Sequence, residues 1–103
     1  MYRATTPTVT FNFPSTVDMT QASDVKVTFK SKRYNLTKDS EDLVIDAHSV
    51  SVLLTQEETI KFALGNFEAQ VNWLYNEGNI VKRACSNIVV LTANENLLNE
   101  VWE

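Results

Sequence analysis

Apolar or aromatic residues occupy every odd-numbered position of the stretch Ala69-Gln70-Val71-Asn72-Trp73-Leu74-Tyr75. The turn-like sequence Asn76-Glu77-Gly78-Asn79 follows it directly. A period of two places Val71, Trp73 and Tyr75 on one face of a strand. A glycine in the following turn permits the positive φ that a tight reversal needs. The stretch therefore predicts a β-hairpin whose second strand covers residues 80–84, with Trp73 as the central core side chain.

The same alternation recurs along most of the chain. Thr, Val and Ile together make up 27 of the 103 residues, which favours strands over helices. We predict an all-β fold, an immunoglobulin-like β-sandwich of about seven strands that forms one domain over residues 1–103, with a small barrel as the alternative. The segments with strand character are residues 8–13, 25–30, 34–37, 42–47, 50–54, 68–75, 80–84 and 87–93.

One short helical turn interrupts the strands, near residues 55–62. Thr55 followed three residues later by Glu58 is a capping box, in which each side chain accepts a hydrogen bond from the other residue's backbone N–H. Thr55 and Glu58 are therefore assigned a structural role. Gly65 suits the left-handed conformation in which a chain leaves a helix. The conformation of residues 94–103 stays open between helical and partly extended.

Composition excludes several classes of protein. A net charge of −4 and a pI near 4.9 argue against a nucleic-acid partner. One cysteine and one histidine give neither a disulfide framework nor a zinc site, so no metal or other cofactor is predicted. The apolar runs are too short for a membrane span or a signal peptide, which places synthesis in a cytoplasm. Cys85 is expected to be a reduced, buried or half-buried small side chain.

The charge is unevenly distributed along the chain. Residues 1–38 contain six bases and two acids, a net +4, whereas residues 39–103 contain three bases and eleven acids, a net −8. If the two portions formed separate faces, identical copies would dock head to tail. The alternative is an ordinary solvated surface with no such role.

Candidate catalytic residues are few, and the chain is predicted not to be an enzyme. His48 falls in a predicted turn between strands, and the acidic cluster around Asp39, Asp42 and Asp46 lacks the spacing of an EF-hand loop. The catalytic, metal and cofactor sites are therefore predicted to be absent. Residues 1–7 and 97–103 are apolar enough that docking onto another chain is expected.

Leu54-Thr55-Gln56-Glu57-Glu58-Thr59-Ile60-Lys61-Phe62 closely resembles small prophage proteins of Gram-positive bacteria, which belong with the N-terminal domain of the phage baseplate upper protein. Further matching pieces lie before and after this stretch, in the same order, and together they span nearly the whole chain. They are residues 2–8, 25–29, 41–46, 70–73, the turn at Gly78 and residues 96–98.

The resemblance implies an immunoglobulin-like sandwich in a phage or prophage tail or baseplate, a structural subunit for virion assembly rather than chemistry. Its implied partners are copies of itself, as a homo-oligomer, and other tail or baseplate proteins, with no nucleic acid and no membrane. Localisation in the virion would follow assembly in the bacterial cytoplasm. The chain ends where the larger protein would continue into receptor-binding parts, so a stand-alone subunit is expected. A small carbohydrate- or protein-binding module at a cell surface is the alternative.

Candidate site residues are therefore interface residues. The bases would form one face, the acids would meet it, and an aromatic near the end of the chain would seat a neighbour. The candidates are Lys26, Lys30, Arg33, Glu57, Glu68, Glu77 and Trp102.

Overall fold

The computed structural model describes residues 1–102 and has two antiparallel sheets. Eight strands form them, with one α-helical turn, α1, between the fifth and sixth. Short 3-10 turns precede the second strand and the fourth. The strands are β1 (Thr8–Asn12), β2 (Ala22–Lys30), β3 (Asn35–Asp39), β4 (Leu43–Asp46), β5 (Ser49–Leu53), β6 (Gly65–Glu77), β7 (Ile80–Cys85) and β8 (Val89–Ala93), and α1 is Gln56–Thr59.

The two sheets share no strand pairing. The first has the order β1-β5-β4, and the second has the order β3-β2-β6-β7, with β8 also paired to β6. Within residues 1–102 the all-β sandwich is therefore confirmed, with eight strands in place of about seven and two separate sheets in place of a closed barrel. The helical turn is also confirmed, although it is shorter than residues 55–62. Gly65 and Gly78 both have positive φ, at 101° and 62°.

Strand β6 is the central strand of the second sheet. It is 13 residues long, so two strands pair with it one after the other along the same side. Its first half pairs with β8 and its second half with β7. A one-residue bulge separates them, since Asn72 lies opposite Cys85 whereas Ala69 lies opposite Val89. At the bulge, the Ser86 hydroxyl accepts a hydrogen bond from the Val71 N–H at 3.0 Å. That bond satisfies a buried backbone donor where the ladder is disrupted.

The core is centred on three phenylalanines. Phe62 stacks on Phe67 with 4.7 Å between ring centroids and meets Phe29 edge-on at 6.2 Å. All three are at most 1% exposed. Trp73 was expected at this centre, and that prediction is wrong. It is only partly buried and packs edge-on against Phe13 at the side of the sandwich. Its position on the inward face of β6 is correct, but the strand carries it beyond the centre.

Within residues 1–102, no helix has the length and apolar character needed to cross a bilayer.

Candidate interaction surface

The second sheet ends in an unpaired edge with apolar side chains. This open edge comprises β7, β8 and the connecting residues 86–88. Strand order leaves its outer side without a neighbouring strand, except near Asn94. Five large apolar side chains on it are 39–63% exposed, namely Ile80, Val81, Ile88, Val89 and Val90. An edge of this kind is a template for pairing with another chain.

Backbone groups along β8 point outward at the even-numbered residues. Thr92 O accepts from the Met1 amino group at 2.9 Å, and the Asn94 N–H donates to Met1 O at 2.7 Å. Because the direction of backbone groups alternates along a strand, the N–H and C=O of Val90 also face outward. Residues 1–3 thus cover the far end of β8, and the part before Thr92 is left open.

A groove lies between β1 of the first sheet and the β7–β8 side of the second. Its volume is about 620 Å³. Trp73 and Phe13 meet inside it, so the partial burial of Trp73 reflects an opening in the side of the sandwich. Other apolar side chains of the groove are Val9, Phe11, Val89 and Leu91. Uncharged polar residues complete the lining, and its described residues include no charged side chain, which favours contact with protein rather than with a charged ligand; the polar residues are Thr10, Asn12, Ser86 and Asn87.

The two ends of the chain meet α1 at one end of the sandwich. The buried Thr59 hydroxyl donates to Thr5 O at 2.8 Å and accepts from the Thr5 N–H at 3.0 Å. The Gln56 side-chain amide donates to Trp102 O and accepts from the Trp102 N–H, at 2.9 and 2.8 Å. The Trp102 side chain is 72% exposed and Leu97 is 97% exposed. The backbone of the tail is therefore held while its apolar side chains remain in solvent.

Bases and acids alternate on the outer face of the second sheet. Lys26 forms an ion pair with Asp39 at 2.8 Å, and Lys30 lies opposite Glu68 in the β2–β6 register. Within the next hairpin, Glu77 pairs with Lys82 at 3.0 Å. The +4 and −8 portions therefore do not form separate faces, because strands from both contribute to one sheet. This arrangement removes the premise of head-to-tail charge docking.

The other candidate interface residues lie apart from one another. Arg33 is exposed in the turn between β2 and β3, and Glu57 is exposed on α1. Of the seven candidates, the structure brings Lys30 and Glu68 together in register. An interface role for the set stays a prediction.

Thr55 and Glu58 form the capping box that the sequence predicted. The Thr55 hydroxyl accepts from the Glu58 N–H at 3.2 Å, and the Glu58 carboxylate accepts from the Thr55 N–H at 2.9 Å. Lys38 adds an ion pair at 2.7 Å, with side chains only 12% and 16% exposed. Burial alone would raise the pKa of Glu58, but the hydrogen bonds from Lys38 and Thr55 outweigh it and leave the pKa below its ordinary value. Because Lys38 lies in β3, its ion pair with Glu58 also links the capped turn α1 to that strand.

Cys85 and His48, the lone cysteine and the lone histidine, lie far apart in the sequence and have separate surroundings. Cys85 is exposed, so the prediction that its side chain is buried or half-buried is wrong. The bulge at Ser86 shifts the in–out alternation between β7 and β8, and Cys85 therefore points to the outer face of the sheet. His48 lies in the β4–β5 turn, as predicted, with Nδ1 2.7 Å from Val17 O. No cluster of three or more His, Cys, Asp or Glu side chains suited to a metal ion occurs within residues 1–102.

Sequence reasoning missed the open edge. Residues 86–94 contain no charged side chain, and this lack of charge is the feature of the sequence that could have drawn attention to β8. That signal does not reveal which strand is central and which is at an edge, because an uncharged apolar strand is equally typical of a buried one. Searches against protein-family models, curated proteins and solved structures find no match to this chain.

Proposed function

We propose that this chain is a non-enzymatic structural subunit of a phage or prophage tail or baseplate, which assembles through protein–protein contacts. The observation that carries the assembly role is the open edge, where Ile88 and Val90 are 56% and 60% exposed beside unpaired backbone groups. Exposed apolar strands at a sheet edge favour aggregation unless a partner covers them.

The lateral groove supports the same proposal, because it places a second uncharged and partly apolar surface next to the open edge. Exposed apolar side chains in the tail, Leu97 and Trp102, supply a third. Three such surfaces on one small domain suit a building block with several neighbours. The assignment to a phage particle comes from the resemblance centred on residues 54–62.

Particle purification tests the proposal in the native setting. A bacterium carrying the coding sequence is induced to release particles, which are banded on a density gradient, washed in high salt and analysed by quantitative mass spectrometry. We expect the chain in the particle band at a fixed ratio to the tail proteins, with gold-labelled antibody at the tail. Recovery only in the soluble fraction, with abundant particles lacking it, would refute the proposal. Binding to isolated cell-wall glycans in that fraction would favour the surface-binding module.

A further inference from the structure

The N-terminal strap, residues 1–4, lies along the far end of β8. Tyr2 forms an isolated parallel bridge with Asn94. The Asn94 N–H donates to Met1 O at 2.7 Å, and the Arg3 N–H donates to Asn94 O at 3.0 Å. Two side-chain hydrogen bonds support this bridge, from Thr5 and Asn96. The strap is therefore a very short parallel addition to the sheet, which is the less stable kind of pairing per residue.

A fixed point follows the strap directly. The Thr59 hydroxyl, which is fully buried, bonds to both the N–H and the C=O of Thr5. Ala4 lies between the bridge and this anchor, with a φ of 59°. Among residues 1–102 it is the one residue other than glycine with a positive φ. Because the alanine Cβ disfavours this left-handed conformation, the closed strap is strained at the residue that joins it to the rest of the fold.

Arg3 adds a second unfavourable feature to the closed strap. Its guanidinium donates a hydrogen bond to Ile60 O, but its Nε is buried and has no partner. A buried N–H without an acceptor destabilises the closed strap, because the same group is hydrated when the strap opens. The Tyr2 side chain is 60% exposed and so buries little surface. The half-buried Met1 side chain, which packs against the core, supplies the apolar contact that opposes release.

We propose that the strap is a detachable element, which opens about Ala4 while the sandwich stays folded and thereby extends the open edge to Asn94. In the closed state, residues 1–3 occupy outward groups of Thr92 and Asn94. In the open state, these groups join those of Val90 in one row, because backbone groups point outward at alternate residues. The strap thus sets how much of the edge is accessible to a strand from outside. This opening is a property of the fold and does not depend on the proposed role in a phage particle.

Native-state amide hydrogen exchange separates strap opening from global unfolding. It is measured by NMR on the untagged chain, at urea concentrations below the unfolding transition. Asn94 is the reporter because its N–H bonds to the strap. Leu91 is the control on the same strand, since it lies opposite Phe67 and its backbone groups point towards β6.

The Asn94 amide should exchange at least about a hundredfold faster than that of Leu91, after correction for intrinsic rates. Its exchange should also depend little on urea, because opening of the strap exposes little surface. Equal protection of the two amides, with the same urea dependence, would overturn the proposal.

Two alanine-to-glycine substitutions test the hinge. Glycine adopts the left-handed conformation readily, so Ala4→Gly should favour the closed strap and slow exchange at Asn94 about threefold to tenfold. Ala47, in the β4–β5 turn, has an ordinary φ and is the matched control. Ala47→Gly should speed exchange at Leu91 about twofold to fivefold by lowering global stability, and leave exchange at Asn94 unchanged.

The two variants also show what would contradict the mechanism. Faster exchange at both Asn94 and Leu91 in Ala47→Gly would mean that the strap is released only by global unfolding. Exchange at Asn94 that is unchanged or faster in Ala4→Gly would overturn the assignment of Ala4 as a strained hinge.

Discussion

The centre of the core is tested by replacing Phe62 with alanine. Phe62 is fully buried, and its ring contacts those of Phe67, Phe29 and Tyr34 at centroid distances of 4.7, 6.2 and 5.4 Å. Removal of a buried phenylalanine ring costs about 3–5 kcal/mol, including the cavity that remains. A domain of this size has a total stability of about 5–15 kcal/mol. We therefore expect Phe62→Ala to lower the free energy of unfolding by about 3–5 kcal/mol, which is at least about a fifth of the total.

Trp73 supplies the comparison, since the sequence alone favours it as the central side chain. Its ring borders the open groove, so its removal leaves a space that solvent fills and adds no closed cavity. We expect Trp73→Ala to cost about 2 kcal/mol. Urea unfolding at 25 °C, followed by far-UV circular dichroism, measures both. Phe62→Leu, expected to cost about 1–2 kcal/mol, keeps the test informative if the alanine variant does not fold. A larger loss for Trp73→Ala than for Phe62→Ala would refute the assigned core centre.

Two further substitutions probe local features of the fold. Glu58→Gln should lower stability at pH 7 by about 0.5–1 kcal/mol through loss of the largely buried ion pair with Lys38, whereas Glu57→Gln should change little. Because folding lowers the pKa of Glu58, its charge stabilises the fold above the ordinary value of 4.5. That contribution disappears as pH falls through the lowered folded-state pKa, so urea titrations of the unmodified chain and of the Glu58→Gln variant should converge once the pH lies below it; a constant difference would contradict this reasoning. Ser86→Ala should cost about 1–3 kcal/mol by leaving the Val71 N–H unpaired, and faster amide exchange at Val71 is the measurement that checks it.

Local signals in the sequence were sufficient for most of the fold. The capping box at Thr55 and the hairpin turn at Gly78 are set by interactions within a few residues, so their chemistry is readable from the sequence. Alternation also assigned the inward face of β6 correctly. Such features depend on neighbours in the chain rather than on the final packing.

Long-range order could not be predicted in the same way. The depth at which Trp73 lies depends on how far β6 extends past the first sheet, and alternation specifies a face but no depth. The bulge at Ser86 reverses parity between β7 and β8, which exposes Cys85. The interleaving of Lys30 with Glu68 follows from strand order, which the charge count does not contain. The position of β7 and β8 at an edge of the sheet also depends on strand order, so it could not be predicted from the sequence either.

The proposed function requires assembly at the uncharged part of the open edge. Two-dimensional ¹H–¹⁵N spectra of the labelled protein, recorded from about 50 µM to 1 mM, test it residue by residue. We expect concentration-dependent shifts centred on the amides of residues 88–90, which lie on the open edge. Spectra that do not change with concentration, or shifts confined to the first sheet, would contradict it.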